Sequence, residues 1–329
     1  GFKKAIEFKA YAALGFRHAR AIAVESDREF GLSVLQRLDA ELTRRGELFR
    51  KAGVQDLASY RDTPAPETMP RTLLIIDEFQ EFFSEDDKLA QDAALLLDRL
   101  VRQGRAFGIH VILGSQTIGG SSGLGRTTLG QMAVRIALQT SEADSQIILG
   151  DANTAARLLT RPGEAIYNDA GGLVEANSPF QVAWLPDAQR EKFLDAVRSR
   201  LNGRPLPYEP TSVFEGNAPA DLTANRPLRA MIARPLASDP PATIAYVGDP
   251  VGIKDPTAVT FRRQSGSNLL VIGQQDEQAL AALAGSMVSI AAQWRSTRAT
   301  VYLLDGTPAD SPLFGRLQQI GEALPIDLK

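Results

Sequence analysis

Thr72-Leu73-Leu74-Ile75-Ile76-Asp77-Glu78 is the stretch on which the fold reading turns. A short, mostly aliphatic run with no polar alternation predicts a strand buried on both faces of a parallel sheet. Its two terminal acids then stand at the carboxyl edge of that sheet, where open α/β sheets bind ligands.

Working toward the C-terminus, Leu89, Leu96, Leu97, Leu100 and Val101 predict the inner side of a helix over roughly 86–103. Ile109–Gly114 predicts a second buried strand, ending at Ser115-Gln116-Thr117. Residues 119–125 form a Gly/Ser-rich loop. Val134–Leu138 reads as a strand, 142–149 and 153–159 as short helices, 180–184 as a last strand and 187–201 as a charged helix. Toward the N-terminus, Ala21–Val24 predicts a short strand. Ser26 with Glu29 predicts a capping box for a helix carrying Leu32, Leu35, Leu38, Leu42 and Phe49 and ending at Gly53. Strands alternating with helices imply an α/β domain with a parallel sheet and helices on both faces.

Residues 203–241 contain eight prolines and predict an extended linker. A second α/β pattern follows over 242–329: strands at 243–247, 258–261 and 268–272, a helix at about 276–294, and an apolar run at 299–306.

Composition narrows the chemistry. The 329 residues carry a net charge of −3, no cysteine and two histidines, His18 and His110. Disulfide frameworks and thiolate zinc sites are excluded, and a histidine-rich metal site is disfavoured. No overall basic field points to nucleic acid, although a pore can confine its basic residues. No apolar run approaches the roughly 18 residues that span a bilayer, so a cytoplasmic chain is expected, with any membrane anchor outside this stretch. Met69, Met132 and Met287 are expected to fill core gaps.

An apolar strand ending in Asp-Glu is the Walker B arrangement: Asp77 holds the water shell of Mg²⁺ and Glu78 polarises the water that attacks the γ-phosphate of ATP. The alternative is an ordinary strand ending in two solvated acids. Ser115 and Gln116 supply neutral polar groups at the same edge, and Gln116 can sense the γ-phosphate and orient water. His110, inside its strand, suits a core or sheet-edge role better than catalysis.

With those residues in view, Ile75–Phe79, Gly104-Arg105-Ala106-Phe107-Gly108-Ile109-His110 and Ser115-Gln116 resemble the motor core of FtsK/SpoIIIE translocases. Val134–Leu138, the Glu142/Asp144/Ser145/Ile148-Leu149-Gly150 set and Leu158-Leu159 with Pro162–Tyr167 extend the resemblance over about 2–186. It implies a RecA-like P-loop NTPase fold, ATP with Mg²⁺, a hexameric ring, and double-stranded DNA or, alternatively, a secreted polypeptide as cargo. It also implies an arginine acting on the neighbouring subunit's nucleotide, with Arg105 the first candidate and Arg135 the second. A third possibility is a non-hydrolysing assembly fragment.

The required GxxxxGK(S/T) loop is not found. The nearest match, Gly120–Thr127, has Arg126 in the lysine place and follows the Walker B strand, so it is rejected. The phosphate loop is therefore expected upstream of Gly1, and the isolated chain is expected to hydrolyse ATP negligibly. Thr117 stands where family members often carry arginine. In the second α/β pattern, Gln278, Ala279 and Leu280 replace the phosphate-loop residues, and Asp276 and Glu277 would repel phosphate. That implies a partial, degenerate ATPase-like domain. Such a tandem layout is similar to the EccC/EssC ATPases of type VII secretion.

Overall fold

The computed structural model describes residues 8, 10–11, 18–24, 27–64, 66–118, 126–201, 212–216, 218–234, 241–294 and 300–329. Most of the opening segment, Ser26, the 119–125 loop, most of the rejected phosphate-loop match and residues 202–211 lie outside them. The chain divides into two compact units, Gly1–Asn217 with Val251–Ile253, and Ala218–Pro250 with Lys254–Lys329.

In the first unit, β1 (Ala21–Val24) precedes α1 (Arg28–Ala52), a 25-residue helix. The capping box is not what starts it. Asp27 is the N-cap, it makes no side-chain cap bond, and Arg28 instead reaches across to the Phe82 carbonyl and the Asp87 carboxylate. At the other end Gly53 adopts φ 69°, a left-handed turn open to glycine without a Cβ penalty, and its N–H caps the last carbonyls. β2 (Thr72–Ile76) runs into a 3₁₀ turn at Phe79–Phe83, and α2 (Lys88–Gln103) follows. Asp87 caps α2 by accepting the Ala90 N–H at 2.8 Å.

β3 (Ile109–Leu113) pairs with β2 in parallel, Ile76 opposite Leu113, so the two strands end together. One face of this pair, Leu74, Ile76 and Ile109, packs with Leu35 and Leu42 of α1 and Ala93, Leu97 and Leu100 of α2 into the main core. The other face is not buried as the aliphatic run predicted. Leu73, Ile75 and Ile112 are about half exposed. Successive strand residues point to opposite faces, and both covering helices lie on one of them.

The rest of the unit departs from the expected parallel sheet. β4 (Arg135–Leu138), β5 (Glu164–Asn168) and β6 (Ser178–Gln181) form an antiparallel trio. β6 starts two residues earlier than expected and leaves Trp184 85% exposed. α3 (Glu142–Leu149) and α4 (Asp187–Leu201) occupy the expected positions. β7 (Ser212–Glu215), inside the proline-rich segment, pairs in parallel with β1. The unit is α/β with mixed sheets.

The second unit contains α5 (Arg226–Ile232), an antiparallel pair β8 (Ala242–Gly248) and β9 (Thr257–Arg262), and α6 (Asp276–Ala291). Side chains of α6 and the turn after it occupy the edge of β8: Ser289 accepts the Tyr246 N–H, and Gln293 both accepts from and donates to the Ile244 backbone. The expected strand at 268–272 does not form, and Leu270 and Ile272 are 80% and 85% exposed. An apolar run without a ladder partner leaves its backbone groups unpaired, so propensity alone does not make it a strand. The run at 299–306 contributes only β10 (Thr300–Val301), paired with β11 (Asp327–Leu328) beyond α7 (Arg316–Glu322). Met69 and Met287 are buried, as expected of gap fillers. No helix among the described residues is long and apolar enough to cross a membrane.

Candidate functional site

The parallel register of β2 and β3 delivers Asp77 and Glu78 beside Gly114 and Ser115. Gly114 donates to the Ile76 carbonyl at 2.8 Å and accepts from the Phe79 N–H at 3.1 Å, so the two strand ends are stitched on both sides of the acids. The half-buried Asp77 carboxylate lies over Gly114: a Cβ there would stand 3.2 Å from Asp77 Oδ1. A larger residue at 114 would crowd the carboxylate, which is a local reason for glycine.

Glu78 sits differently. It is 4% exposed and has φ 54° and ψ 50°, the one described non-glycine residue with positive φ. Left-handed backbone costs a non-glycine residue on the order of 1–3 kcal/mol and persists where surroundings over-determine it. Here Phe79 and Phe82, both nearly fully buried, pin the turn to the main core. The Glu78 carboxylate accepts a hydrogen bond from Gln80 Nε2. Gln80 Oε1 in turn accepts from the Ser115 hydroxyl at 2.7 Å. Ser115 Oγ also lies 2.6 Å from the Thr117 carbonyl, so its single proton has two acceptors.

Gln116 is exposed at this edge. The segment after it is held by Asp144, which accepts from the Ile118 N–H at 2.9 Å and from the Thr117, Thr140 and Ser141 hydroxyls. The structure thus brings Asp77, Glu78, Ser115 and Gln116 to one strand edge.

The two arginines lie elsewhere. Arg105 is exposed on the turn before β3, at the opposite end of the strand from the acids. Five strand residues make that separation roughly 16 Å or more, so it cannot serve the acids of its own chain. Arg135 is occupied within its own chain. Its guanidinium donates to the carbonyls of Met132, Ile148 and Leu149, the last two at the C-terminus of α3, where a cation is favoured. His110 sits beside Arg71, its Nε2 3.2 Å from Nη1, away from the acids.

Gln80 escaped the sequence reading because it belongs to no spacing motif and follows the strand like any loop residue. Only the left-handed turn at Glu78 folds it back onto the carboxylate.

No cluster of three or more metal-ligating side chains occurs among the described residues. Among the described residues no protein cage for a cation is on offer. The single carboxylate of Asp77 fits magnesium, which retains waters and phosphate oxygens as most of its ligands.

No family model matches the chain. A sporulation regulatory protein of Streptomyces azureus is 28% identical over 239 residues, 68% of this chain and 73% of its own length. The DNA translocase FtsK of Helicobacter pylori J99 is 26% identical over 205 residues, 60% of this chain. Among solved structures, the cytoplasmic domain of the Thermomonospora curvata type VII secretion ATPase EccC matches with a TM-score of 0.52 and 25% identity over 75% of this chain. The chain is a distant homologue of the FtsK/SpoIIIE/EccC-type P-loop ATPases. It spans 22% of that FtsK and 29% of the EccC chain, a part of each.

Proposed function

We propose that this chain supplies the magnesium- and water-handling side of an ATP site in a translocase motor that moves double-stranded DNA through a homo-oligomeric, hexameric ring. The observation that carries the reading is the position of Asp77 against Gly114, with Glu78 next to it, at the paired carboxyl ends of β2 and β3. Asp77 orients the water shell of magnesium, Glu78 accepts a proton from the attacking water, and Gln116 senses the terminal phosphate. Magnesium bound with ATP neutralises charge on the phosphate oxygens.

Residues 1–202 form the motor-type, RecA-like domain in this reading, 203–241 lead on from it and are not a bare linker, since they carry β7 and α5, and 242–329 form a partial, degenerate ATPase-like domain. The start of α6 supports the last assignment. Asp276 and Glu277 already place negative charge at that helix N-terminus, where a phosphate would otherwise be favoured. Arg105, exposed and remote from its own chain's acids, serves the neighbouring subunit's nucleotide, and the machine works at the cytoplasmic side.

A second reading, export of a polypeptide, is supported by the structural likeness to a secretion ATPase over three quarters of the chain. The deciding experiment is ATP turnover by the intact protein with and without double-stranded DNA. Stimulation by DNA of any sequence, weakening as salt rises, supports the DNA motor. Turnover indifferent to DNA but raised by a polypeptide substrate supports export.

A further inference from the structure

We infer that Gln80 is a positioning residue that restrains Glu78, and that the Ser115 hydroxyl decides whether the restraint holds. The inference rests on the reading of Glu78 as the water-polarising carboxylate.

One planar amide makes the connection. Its N–H side donates to the Glu78 carboxylate and its carbonyl accepts from Ser115, so Gln80 bridges the turn after β2 to the end of β3. A carboxylate that is 4% exposed and committed to an amide in its own turn is not directed at a water in the cleft. Glu78 must leave Gln80, wholly or with one oxygen, before it can take a proton from an attacking water.

The bridge has a built-in release. Ser115 carries one proton and stands within bonding distance of two acceptors, Gln80 Oε1 at 2.7 Å and the Thr117 carbonyl at 2.6 Å. A hydroxyl rotor chooses between them with little energetic difference, since either bond replaces the other. Turned toward Gln80, it anchors the amide that holds Glu78. Turned toward Thr117, it leaves the amide held at one end only. Thr117 and Ile118 are themselves fixed by Asp144, so the second acceptor is stationary. A change at the Ser115-Gln116 segment is thereby passed to Glu78 through a single side chain.

Two readouts test this. In the ¹⁵N-labelled chain, the Gln80 side-chain amide, assigned by its disappearance in Gln80→Met, should exchange with solvent about tenfold more slowly than exposed glutamine amides. That protection should fall in both Glu78→Gln and Ser115→Ala. Methionine matches glutamine in size but cannot donate, so the turn keeps its packing. In the intact protein without cargo, Gln80→Met and Ser115→Ala should each raise kcat for ATP about two- to tenfold, the population factor carried by one net hydrogen bond. KM should stay unchanged. An unprotected Gln80 amide, or a lower kcat in Gln80→Met, overturns the restraint. Hydrolysis that survives Glu78→Gln undiminished overturns the reading of Glu78 beneath it, and the amide data then show separately whether the contact exists.

Discussion

Asp144 accepts the backbone N–H of Ile118 at 2.9 Å, which fastens the segment following β3 to the first turn of α3. The same carboxylate takes the Ser141 hydroxyl at 2.8 Å, while the Asp144 N–H donates back to Ser141, so Ser141 caps the helix and its partner Asp144 holds the neighbouring segment. The segment that carries Gln116 therefore owes its position to a buried acid 28 residues further on, by sequence numbers 116 and 144.

Replacing Asp144 with alanine removes an acceptor from the Ile118 N–H and from the Thr117, Thr140 and Ser141 hydroxyls. We expect a loss of about 2 kcal/mol in chemical denaturation and faster amide exchange at Ile118 than at residues of β2. Asp144→Asn, which keeps one acceptor oxygen, should lose less. Unchanged exchange at Ile118 in the alanine variant would show that Asp144 does not hold this segment.

Arg45 is 1% exposed and distributes its guanidinium over Glu41 at 2.8 Å, the Phe107 carbonyl at 2.6 Å, and Pro70 and Thr72 at 3.1 Å. It thus joins α1 to the entrances of both β2 and β3. Burial pushes the Glu41 carboxyl up, yet hydrogen bonds from Arg44 and Arg45 outweigh it and hold the group below the usual range. Arg45→Ala should cost roughly 3 kcal/mol, because it strands several buried acceptors at once. Arg45→Lys should recover a minor part, since an ammonium cannot match the planar fork. Equal stability of the lysine variant and the parent would contradict this.

The Arg28 guanidinium, followed by the Ala90 N–H, holds the Asp87 carboxyl below the ordinary aspartate range. A carboxyl with a depressed folded-state pKa contributes stability at neutral pH and loses it as pH falls below about 3.9 and through the folded value. Acid unfolding of the parent should therefore be steeper in that window than that of Asp87→Asn, and the two profiles should converge at the acid end. Parallel profiles throughout would mean that the Arg28–Asp87 pair has no linkage to folding.

The sequence made β2, β3 and the four longer helices of the first unit readable, because their apolar spacing is set locally and bounded by residues such as Asp87 and Gly53. Pairing direction was not readable. Nothing within Val134–Leu138 or Glu164–Asn168 says that the partner runs antiparallel, since that depends on where the chain returns. Exposure of Leu73 and Ile75 was equally hidden, because an aliphatic strand looks the same whether one face or two are covered. At the site, Asp77, Glu78, Ser115 and Gln116 follow from strand ends and are brought to one edge. Gln80 depends on a positive φ at Glu78, and no local propensity of glutamate announces that. Arg135 looked available from sequence, and its occupation by the carbonyls that end α3 arises only from tertiary packing.

The proposed role of Glu78 is to handle the attacking water at an ATP site. The most direct test is ATP binding and single-turnover hydrolysis by the intact protein carrying Glu78→Gln. We predict that nucleotide binding stays within about twofold while hydrolysis falls by about a hundredfold or more, the scale of a lost general base. Hydrolysis at the parent rate with binding intact would rule that role out.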